Sequence, residues 1–585
     1  MTSLTQKLSD IAGKAFEEAG LEHSCGLVRV SDRPDLAQFQ CNGAMAAAKA
    51  AKKNPREIAT QIAASLSQNA AFKKVEIAGP GFINLNITDE YLKAHIESLM
   101  EDDRAGMADI GANEMILLDY GGPNIAKAMH VGHLRAAIIG DSMRRILGFA
   151  GFKVLGDVHL GDWGTNIGIL IDNYIESNET SLLLDADTEN AADVARLVDD
   201  MAERYPRATA IAKEEPDVMT RARSVTVKLQ NKEEPYYSIW EKIRAISIYD
   251  IKRNYDALGV VFDLWKGEAD VHDYIAPMVE DLKEKSFAFE SEGAWVVPVA
   301  RNDDKKEMPP LILYKRDGGV MYGTTDLATI IERVKLYKPA KIIYIVDQRQ
   351  GLHFEQVFRA ARIGGIAPDS MELTHAGFGT MNGPDGKPFK TRAGGVMRLD
   401  DLISMAQEKA LARMEEANIA KDISGEEKQD IANKVAIAAI KFADLQGQRQ
   451  ADYVFDLDRL TEFEGKTGPY LLYQAVRIKS LLRKAGYKKQ EEAALVLHDA
   501  DRPLALMLGE FPDAIEAAAR NYAPHYLCDY IYRLAQSFSS FYGNCHILSE
   551  QDGQLKASRL ALCAQTCHQL ELALGLLGIE VPERM

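Results

Sequence analysis

The sequence has no apolar run long enough to cross a membrane. Its first ten residues also lack the apolar core and the small-residue cleavage site of a signal peptide. These two absences exclude a membrane-spanning protein and argue against secretion. We therefore expect a cytoplasmic protein that has no membrane partner.

Paired cysteines are also absent. The six cysteines are scattered, and none belongs to a CxxC pair. Cys563 and Cys567 have helical spacing and precede His568, which would suit a metal ion. A structural zinc site needs four ligands in close pairs, however, and no second half-site follows. We expect buried free thiols and no structural metal.

An excess of positive charge is missing too, because the formal net charge is −17. This balance argues against a protein that coats nucleic acid through broad neutralisation of phosphates. It does not exclude a protein that holds one RNA through local basic patches. The 585 residues, 46 % of them apolar, are enough for three or four domains with real cores.

Strand–turn–helix units indicate the fold class. The apolar run 115–120 ends in a Gly-Gly-Pro turn, and apolar residues then follow helical spacing from Leu134 to Leu147. The run 341–347 again ends on an aspartate, with a helical pattern behind it. Such units predict a doubly wound α/β fold whose parallel sheet binds ligands at the carboxyl ends of its strands.

The patterns divide the chain into three predicted domains. Residues 1–108 read as a small α+β domain, and residues 109–405 as the parallel-sheet domain. A charged and mostly helical insertion is predicted at about 171–304. From residue 406 to 585 the chain is almost entirely helix-patterned, which predicts an all-α bundle.

Two histidines mark a candidate phosphate site. His130 and His133 flank Val-Gly where a loop becomes a helix, and free N–H groups at a helix start attract phosphate. The histidines would add donors as charge builds in a transition state, and Gly132 would let adenine approach the backbone. Alone, two such histidines are more often capping or core-edge residues. Their position after a buried strand favours the phosphate site.

The segment 119–135 reads DYxxPNxAKxxHVGHLR. It resembles the first signature of class I aminoacyl-tRNA synthetases, in the form found in arginyl-tRNA synthetases. The block 159–165, His-Leu-Gly-Asp-Trp-Gly-Thr, is similar to the next characteristic block of that family. The resemblance covers essentially the whole chain and is weakest across about 176–255. Gly121 and Gly122 depart from the Ser-rich pair often found before Pro-Asn.

The resemblance implies an activity and its partners. We expect ATP-dependent activation of L-arginine to arginyl-adenylate, followed by transfer to the 3′-terminal adenosine of tRNA(Arg). The cofactor would be ATP with Mg²⁺ bound to the substrate. The family also implies a monomer, a Rossmann-like catalytic domain, an N-terminal domain on the tRNA elbow and a helical anticodon-binding domain.

The second class I signature, KMSK, is missing. Its place is taken by a glycine-bounded basic loop, 386–395, which resembles the variant loop of many bacterial arginyl enzymes. Lys387, Lys390 and Arg392 would each reach a phosphate, although a solvated basic turn is the competing reading. The family comparison suggests that a lysine just before the histidines offsets the loss, and Lys127 stands there.

Arginine recognition needs carboxylates and an aromatic surface, because a guanidinium is planar and permanently charged. Tyr322 and Asp326 supply one of each, and if a helix begins near Thr325, Asp326 lies in its first turn. Without context, Asp326 would be an ordinary residue of a first helical turn. The family comparison assigns the substrate pocket to five residues: Asp119, Asn124, Tyr322, Asp326 and Gln350.

RNA contacts are predicted at both ends of the chain. In the N-terminal domain Phe39, Asn42 and Phe82 are candidates for base contact, although the two phenylalanines would serve equally as core residues. Near the C-terminus, aromatic residues alternate with basic ones across 455–484, which suits stacking on unpaired bases. The alternative interpretation of this stretch is a helix whose apolar side packs into the core and whose basic side faces solvent.

Three other functions stay open. Another class I synthetase would use the same chemistry, but a neutral substrate would not need Asp119 and Asp326. A nucleotidylyltransferase would share the histidine motif and the sheet, but not the large terminal domains. A tRNA-binding paralogue without catalysis is favoured weakly by the missing KMSK, whereas the complete histidine motif counts against it.

Overall fold

The computed structural model describes residues 3–316, 318–383, 385–387, 397–419, 423–488 and 495–585. Contacts divide the chain into two compact units. One contains residues 1–110, 463–576 and 580–585, and the other contains 111–462 and 577–579. The three domains drawn from the sequence stay a prediction, because a compact unit need not coincide with a domain of separate function. Within the described ranges no helix is both long and apolar enough to cross a membrane.

The N-terminal part of the first unit is an antiparallel sheet covered by helices. Its helices are α1 (Leu4–Glu18), α2 (Gly43–Ala51), α3 (Pro55–Leu66) and α4 (Asp89–Met100). Its strands are β1 (Val28–Val30), β2 (Phe39–Cys41), β3 (Phe72–Ala78) and β4 (Phe82–Ile87), in the order β1-β2-β4-β3. Apolar residues keep helical spacing across 44–66, but a break separates α2 from α3, where Lys52 is left-handed and Asn54 caps α3.

The second unit is built on a parallel sheet. Its strands are β5 (Met115–Tyr120), β6 (Lys153–Asp157), β10 (Lys341–Ile345) and β11 (Glu372–His375), in the order β11-β10-β5-β6. Helix α5 (Leu134–Phe149) crosses from β5 to β6. It packs closely, because a Cβ on Gly140 would lie 2.1 Å from the ring of Tyr120. The predicted doubly wound α/β fold is confirmed.

Helices fill most of the segment between β6 and β10. They are α6 (Thr165–Glu176), α7 (Ser181–Leu184), α8 (Ala191–Glu214), α9 (Pro216–Gln230), α10 (Tyr236–Ala257) and α11 (His272–Glu284). A small antiparallel sheet follows, made of β7 (Phe289–Ser291), β8 (Ala294–Val297) and β9 (Leu311–Tyr314). Helix α12 (Tyr322–Tyr337) then leads into β10, and α13 (Gly351–Ile363) leads into β11.

A shared apolar core joins the parallel sheet to the helices on one face. Leu117 of β5 and Ile342 of β10 belong to one cluster with buried residues of α11, α12 and α13, such as Val279, Leu327 and Val357. Burying side chains of this size stabilises the fold by roughly 1.5–3 kcal/mol each. The core therefore holds α12 and α13 against the sheet, and both helices carry candidate site residues.

Two short strands and three helices follow β11 among the described residues of the second unit. They are β12 (Met381–Asn382), α14 (Leu399–Glu416), α15 (Gly425–Leu445), β13 (Tyr453–Val454) and α16 (Leu457–Leu460). The first unit resumes with α17 (Gly468–Lys484), α18 (Arg502–Leu508), α19 (Phe511–Asn521), α20 (His525–Asn544) and α21 (Gly553–Leu576). The predicted helical C-terminal part is confirmed. Five of the six cysteines are buried free thiols, as expected, whereas Cys25 is only half-buried.

Candidate active site

The two histidines stand in a 3₁₀ turn that opens α5. The turn covers Val131–His133, and its backbone is closed by the imidazoles themselves. Nδ1 of His130 accepts from the N–H of Gly132 at 3.0 Å, and Nδ1 of His133 accepts from the N–H of His130 at 3.1 Å. Both side chains therefore cap the turn, as the competing reading from sequence proposed.

Capping fixes the tautomer of each ring. A neutral imidazole that accepts at Nδ1 carries its proton on Nε2. Burial, helped by the charge of Lys127, lowers the pKa of His130. Burial and the neighbouring His130 lower the pKa of His133 to about 3. Both rings are therefore neutral near pH 7, and each keeps an Nε2–H donor that does not serve the turn.

Gly132 is required by the ring of His130. A Cβ at this position would lie 2.7 Å from Cε1 of His130, closer than real Cβ contacts. The predicted role of Gly132, close approach of adenine to the backbone, stays a prediction. Gly132 has a structural role even without a ligand, because it lets the His130 ring fold back onto the turn.

Lys127 lies exposed on the same loop. Its Nζ is 5.2 Å from the centre of the Tyr205 ring, and its charge reaches both histidines. The phosphate contact predicted for Lys127 remains a prediction. Its surroundings suit an anion, since a cation and two neutral donors share one loop.

Only part of the basic loop belongs to the described residues. Lys387 is exposed, and its backbone C=O accepts from the N–H of Gly383. Lys390 and Arg392 lie outside the described residues. The residues that follow the loop in the sequence contact the histidine turn. The C=O of Met397 accepts from the N–H of Val131, and the N–H of Leu399 donates to the C=O of Met129. The segment that follows the loop therefore returns beside the two histidines.

A buried ion cluster lies at the carboxyl ends of β5 and β6. Arg333, 1 % exposed, donates to Asp119 at 2.5 Å and to Asp157 at 2.6 Å. Burial raises the pKa of Asp119. Burial alone would have the same effect on Asp157, but Arg333 and His159 outweigh it and lower the pKa of that carboxyl. The substrate-binding role predicted for Asp119 stays a prediction, and one of its oxygens already accepts from Arg333.

His159 completes the cluster. Its Nδ1 is 3.7 Å from Asp157, and its Nε2 is 3.3 Å from the hydroxyl of Thr329. Burial alone would favour the neutral ring, but the carboxylate of Asp157 raises the pKa of His159 to about 9. The backbone of His159 is left-handed, with φ of 32°, which is rare outside glycine and typical of functional sites.

Asp119, Asp157 and His159 also form a possible ligand set for a metal ion, because their ligand atoms lie within 4.8 Å of one another. Arg333 occupies an oxygen of each carboxylate in this set. A cation would have to displace a buried guanidinium that neutralises both groups. The arrangement is therefore better explained as an ion-pair network than as a metal site.

Helix α12 presents one face to the strand ends. Asp326, Thr329 and Arg333 follow each other at spacings of three and four residues, so they share that face. Tyr322 is the first residue of α12, and Asp326 therefore lies in the second turn, not in the first turn that a helix start near Thr325 would give. Met321 has an extended backbone, and α12 begins at the next residue. Tyr322 is 63 % exposed.

Asp326 forms a short contact that sequence reasoning missed. Nε2 of His353, on α13, is 2.5 Å from Oδ2 of Asp326. The hydrogen bond with Asp326 raises the pKa of His353. The sequence offered a weak signal, since His353 lies shortly after the predicted Gln350.

Glu268 is a second missed carboxylate. It begins a 3₁₀ turn, and burial, with the nearby charge of Asp162, raises its pKa to about 7. The charges of His159 and Asp326 also reach Glu268, so it belongs to the same site. Within the described ranges no basic side chain forms an ion pair with it. Nothing in the sequence around it distinguishes Glu268 from the other acidic residues of the insertion.

Asn124 and Gln350 are both exposed, at the ends of neighbouring strands. Asn124 lies in the loop after β5, where its Oδ1 occupies the space that a Cβ on Gly161 would need. Gln350 ends a 3₁₀ turn after β10, and β10 pairs with β5. The structure thus brings the two residues to the same edge of the sheet as Asp119.

Comparisons with known proteins identify the family. Residues 2–87 match the Arginyl tRNA synthetase N terminal domain, 95–457 match tRNA synthetases class I (R), catalytic domain, and 471–585 match the DALR anticodon binding domain. An arginine–tRNA ligase of Hyphomonas neptunium is 49% identical over 591 residues, with 100% of both chains covered.

The chain belongs to the arginyl-tRNA synthetases. An arginine–tRNA ligase of Maricaulis maris is 47% identical and is also covered completely. The crystal structure of arginyl-tRNA synthetase from Plasmodium falciparum aligns with a TM-score of 0.83 and 25% identity, covering 100% of both chains. The Thermus thermophilus arginyl-tRNA synthetase shares the fold, with a TM-score of 0.80 at 23% identity. These matches exclude a nucleotidylyltransferase or a synthetase of another family.

Proposed function

We propose that this arginyl-tRNA synthetase activates L-arginine with ATP and transfers it to the 3′-terminal adenosine of tRNA(Arg). One observation carries the proposal beyond the family relationship. Neutral histidine donors follow β5 on the loop that opens α5, and a group of carboxylates gathers at the ends of β5 and β6. The first arrangement suits a polyphosphate, and the second suits a cationic amino acid.

ATP would be held at the histidine turn. The Nε2–H groups of His130 and His133 would donate to phosphate oxygens, and their neutrality means that no proton has to move first. Lys127 would add a fixed positive charge beside them. Lys387 and Lys390 of the basic loop would reach the outer phosphates, and Mg²⁺ would enter with ATP.

Arginine would be recognised by the carboxylates that α12 and the 268–271 turn direct into the site. A guanidinium forms paired hydrogen bonds with carboxylates, and Asp326 and Glu268 lie near each other. Tyr322 would cover the planar cation. The α-amino and carboxylate groups would then face Asn124, Gln350 and the remaining oxygen of Asp119. This assignment adds Glu268 to the residues predicted from sequence.

The chemistry needs no covalent intermediate with the protein. A carboxylate oxygen of arginine attacks the α-phosphorus of ATP, the bond to the β-phosphate oxygen breaks, and pyrophosphate leaves. A ribose hydroxyl of the terminal adenosine then attacks the activated carbonyl, and AMP leaves. The protein contributes orientation and stabilisation of developing charge.

The other parts of the chain would bind tRNA. Residues 1–108 would contact the elbow, 109–405 the acceptor end and 406–585 the anticodon. In the N-terminal domain Phe39 is 4 % exposed, so its alternative reading as a core residue is confirmed, whereas Asn42 is exposed. We further propose that the enzyme is a cytoplasmic monomer and that bound tRNA promotes the first step.

Charging of total tRNA with each amino acid in turn, with ATP and Mg²⁺, tests the proposal. Attachment of arginine alone would support both the activity and the pocket. Attachment of another amino acid would overturn the pocket assignment. Absence of charging while tRNA still binds would favour the catalytically inactive paralogue. Pyrophosphate exchange with and without tRNA would then report on the first step by itself.

A further inference from the structure

His353 and Asp326 form a close pair within the proposed arginine pocket. The two side chains come from different helices, α13 and α12, and their Nε2 and Oδ2 atoms are 2.5 Å apart. The His353 side chain is 31 % exposed and the Asp326 side chain 23 %, so neither is cut off from a small ligand. His353 also has an edge contact with the ring of Phe354, which belongs to the apolar core.

We propose that His353 is a positioning residue: it orients the Asp326 carboxylate for arginine and makes arginine binding depend on the protonation of its own ring. The inference rests on the proposed function, because it takes Asp326 as a ligand of the guanidinium. His353, on α13, would act on the ligand only through its hydrogen bond with Asp326.

Orientation follows from the hydrogen bond. A carboxylate on a short side chain can rotate about its last bond, and paired recognition of a guanidinium needs a defined plane. Among the described residues, His353 is the side chain that donates to Asp326. The contact uses one lone pair of Oδ2 and leaves Oδ1 and the second lone pair of Oδ2 for a ligand.

The charge dependence follows from competition for one carboxylate. Protonated His353 already neutralises Asp326, so a bound arginine would bring a second cation to the same group. When His353 loses its proton, Nε2–H still donates and the repulsion disappears. The hydrogen bond with Asp326 raises the pKa of His353, so the ring loses its proton over a pH range above that of a free imidazole. Affinity for arginine should therefore increase as pH rises through that range.

Other charged groups around His353 are mostly engaged elsewhere. Asp347 pairs with Arg349 on the turn before α13, and Arg359 pairs with Asp304 and Glu355. The remaining titratable groups on the elements packed against α13 are Tyr322, Glu332, Arg333, Lys335 and Tyr337 of α12, Glu372 and His375 of β11, and Tyr314 of β9. Asp326 is the charged group among the described residues that shifts the pKa of His353.

The test is the arginine KM of the full-length enzyme, measured by charging at saturating ATP and tRNA from about pH 6 to pH 8.5. We expect the wild-type KM to fall about tenfold as pH rises. His353→Gln keeps a neutral donor near the Nε2 position, so its KM should change much less with pH. Its kcat and ATP KM should stay within about twofold of wild type, because a positioning role in the pocket does not touch ATP.

Two further variants control the experiment. His353→Phe removes the donor and should raise the arginine KM at the high end of the pH range, where the wild-type ring is neutral, without raising the ATP KM. His23→Gln changes a histidine that also pairs with carboxylates, Glu17 at 3.3 Å and Asp10, but in the N-terminal sheet domain. It should keep the wild-type pH profile. Glu268 titrates in the same range and contributes equally to wild type and His353→Gln, so the difference between them isolates His353.

The outcomes separate this inference from the proposed function. If the wild type charges tRNA with arginine and His353→Gln keeps the full pH dependence of KM, the inference is overturned and the function stands. A shared loss of kcat and of ATP affinity in His353→Gln would also overturn it, because that pattern belongs to a structural defect. If the wild type charges no arginine, the proposed function fails and the inference falls with it.

Discussion

The backbone N–H of His130 donates to Nδ1 of His133 at 3.1 Å. In the same turn Nδ1 of His130 accepts from Gly132 at 3.0 Å. Each histidine therefore has a structural role through Nδ1, and Nε2–H remains for a substrate. The two roles use different atoms of the same ring, so they can be separated by substitution.

The side-chain amide of Asn lies near the Nδ1 position of an imidazole, and the side-chain amide of Gln lies near the Nε2 position. His130→Asn keeps an acceptor near the Nδ1 position and should preserve the turn, but it loses the distal donor. His130→Gln places an amide donor near the Nε2 position and gives up the cap. If the donor stabilises the transition state, we expect His130→Asn to lose on the order of 10²-fold or more in kcat and His130→Gln to retain more activity. Pyrophosphate exchange measures this.

The matching control is thermal stability. His130→Asn should melt within a few degrees of wild type, whereas His130→Gln should melt lower because it loses the cap. The opposite ranking of activities, with His130→Asn the better enzyme, would mean that the cap and not the donor supports catalysis.

Lys127 offers a second test of the phosphate site. Its charge lies beside both histidines and is not neutralised by an ion pair among the described residues. We expect Lys127→Ala to raise the ATP KM and lower kcat by about tenfold each, while the arginine KM stays near wild type. Lys153→Ala removes another exposed lysine, at the amino end of β6, and should change neither constant. Unaltered ATP use in Lys127→Ala would remove it from the site.

The sequence predicted the main features of the fold because their signals are local. The apolar run of β5, the turn after it and the helical spacing of α5 all lie within residues 115–149. The helical insertion and the helical C-terminal part are also evident from periodicity. The break between α2 and α3 is not evident from periodicity, because the apolar spacing continues across Asn54 and Pro55.

Prediction of the site was less complete for a physical reason. Asp119 and Asp326 stand in local motifs, but their partners Arg333 and His353 approach through tertiary packing of α12 and α13. Glu268 is distinguished by burial, which a sequence does not display. The family resemblance predicted residues that would touch a ligand, whereas the side chains that pair with those residues became visible only in three dimensions.

Arg135 provides a prediction about stability. Its side chain is 4 % exposed, pairs with the fully buried Asp444 at 3.2 Å, and donates to the C=O of Gly379 at 2.6 Å. Arg135→Met should destabilise the second unit by about 3–5 kcal/mol, because it leaves a carboxylate buried without its cation. Replacing both residues, Arg135→Met with Asp444→Leu, should cost less than the sum of the single changes. Melting curves measure both effects, and additive losses would mean that the pair is not coupled.

Glu268 gives a prediction whose sign depends on pH. Burial raises the pKa of its carboxyl to about 7, so the group is mostly protonated near pH 6 and mostly ionised near pH 8. Only the ionised form attracts a guanidinium strongly. Glu268→Gln should therefore raise the arginine KM about tenfold near pH 8 and less than about threefold near pH 6, with the ATP KM unchanged. Asp270→Asn removes a neighbouring acid that already pairs with Arg244, and it should not reproduce this pattern. An equal increase in KM at both pH values would show that Glu268 contributes by shape or hydrogen bonding, and its proposed role as an anionic ligand would be wrong.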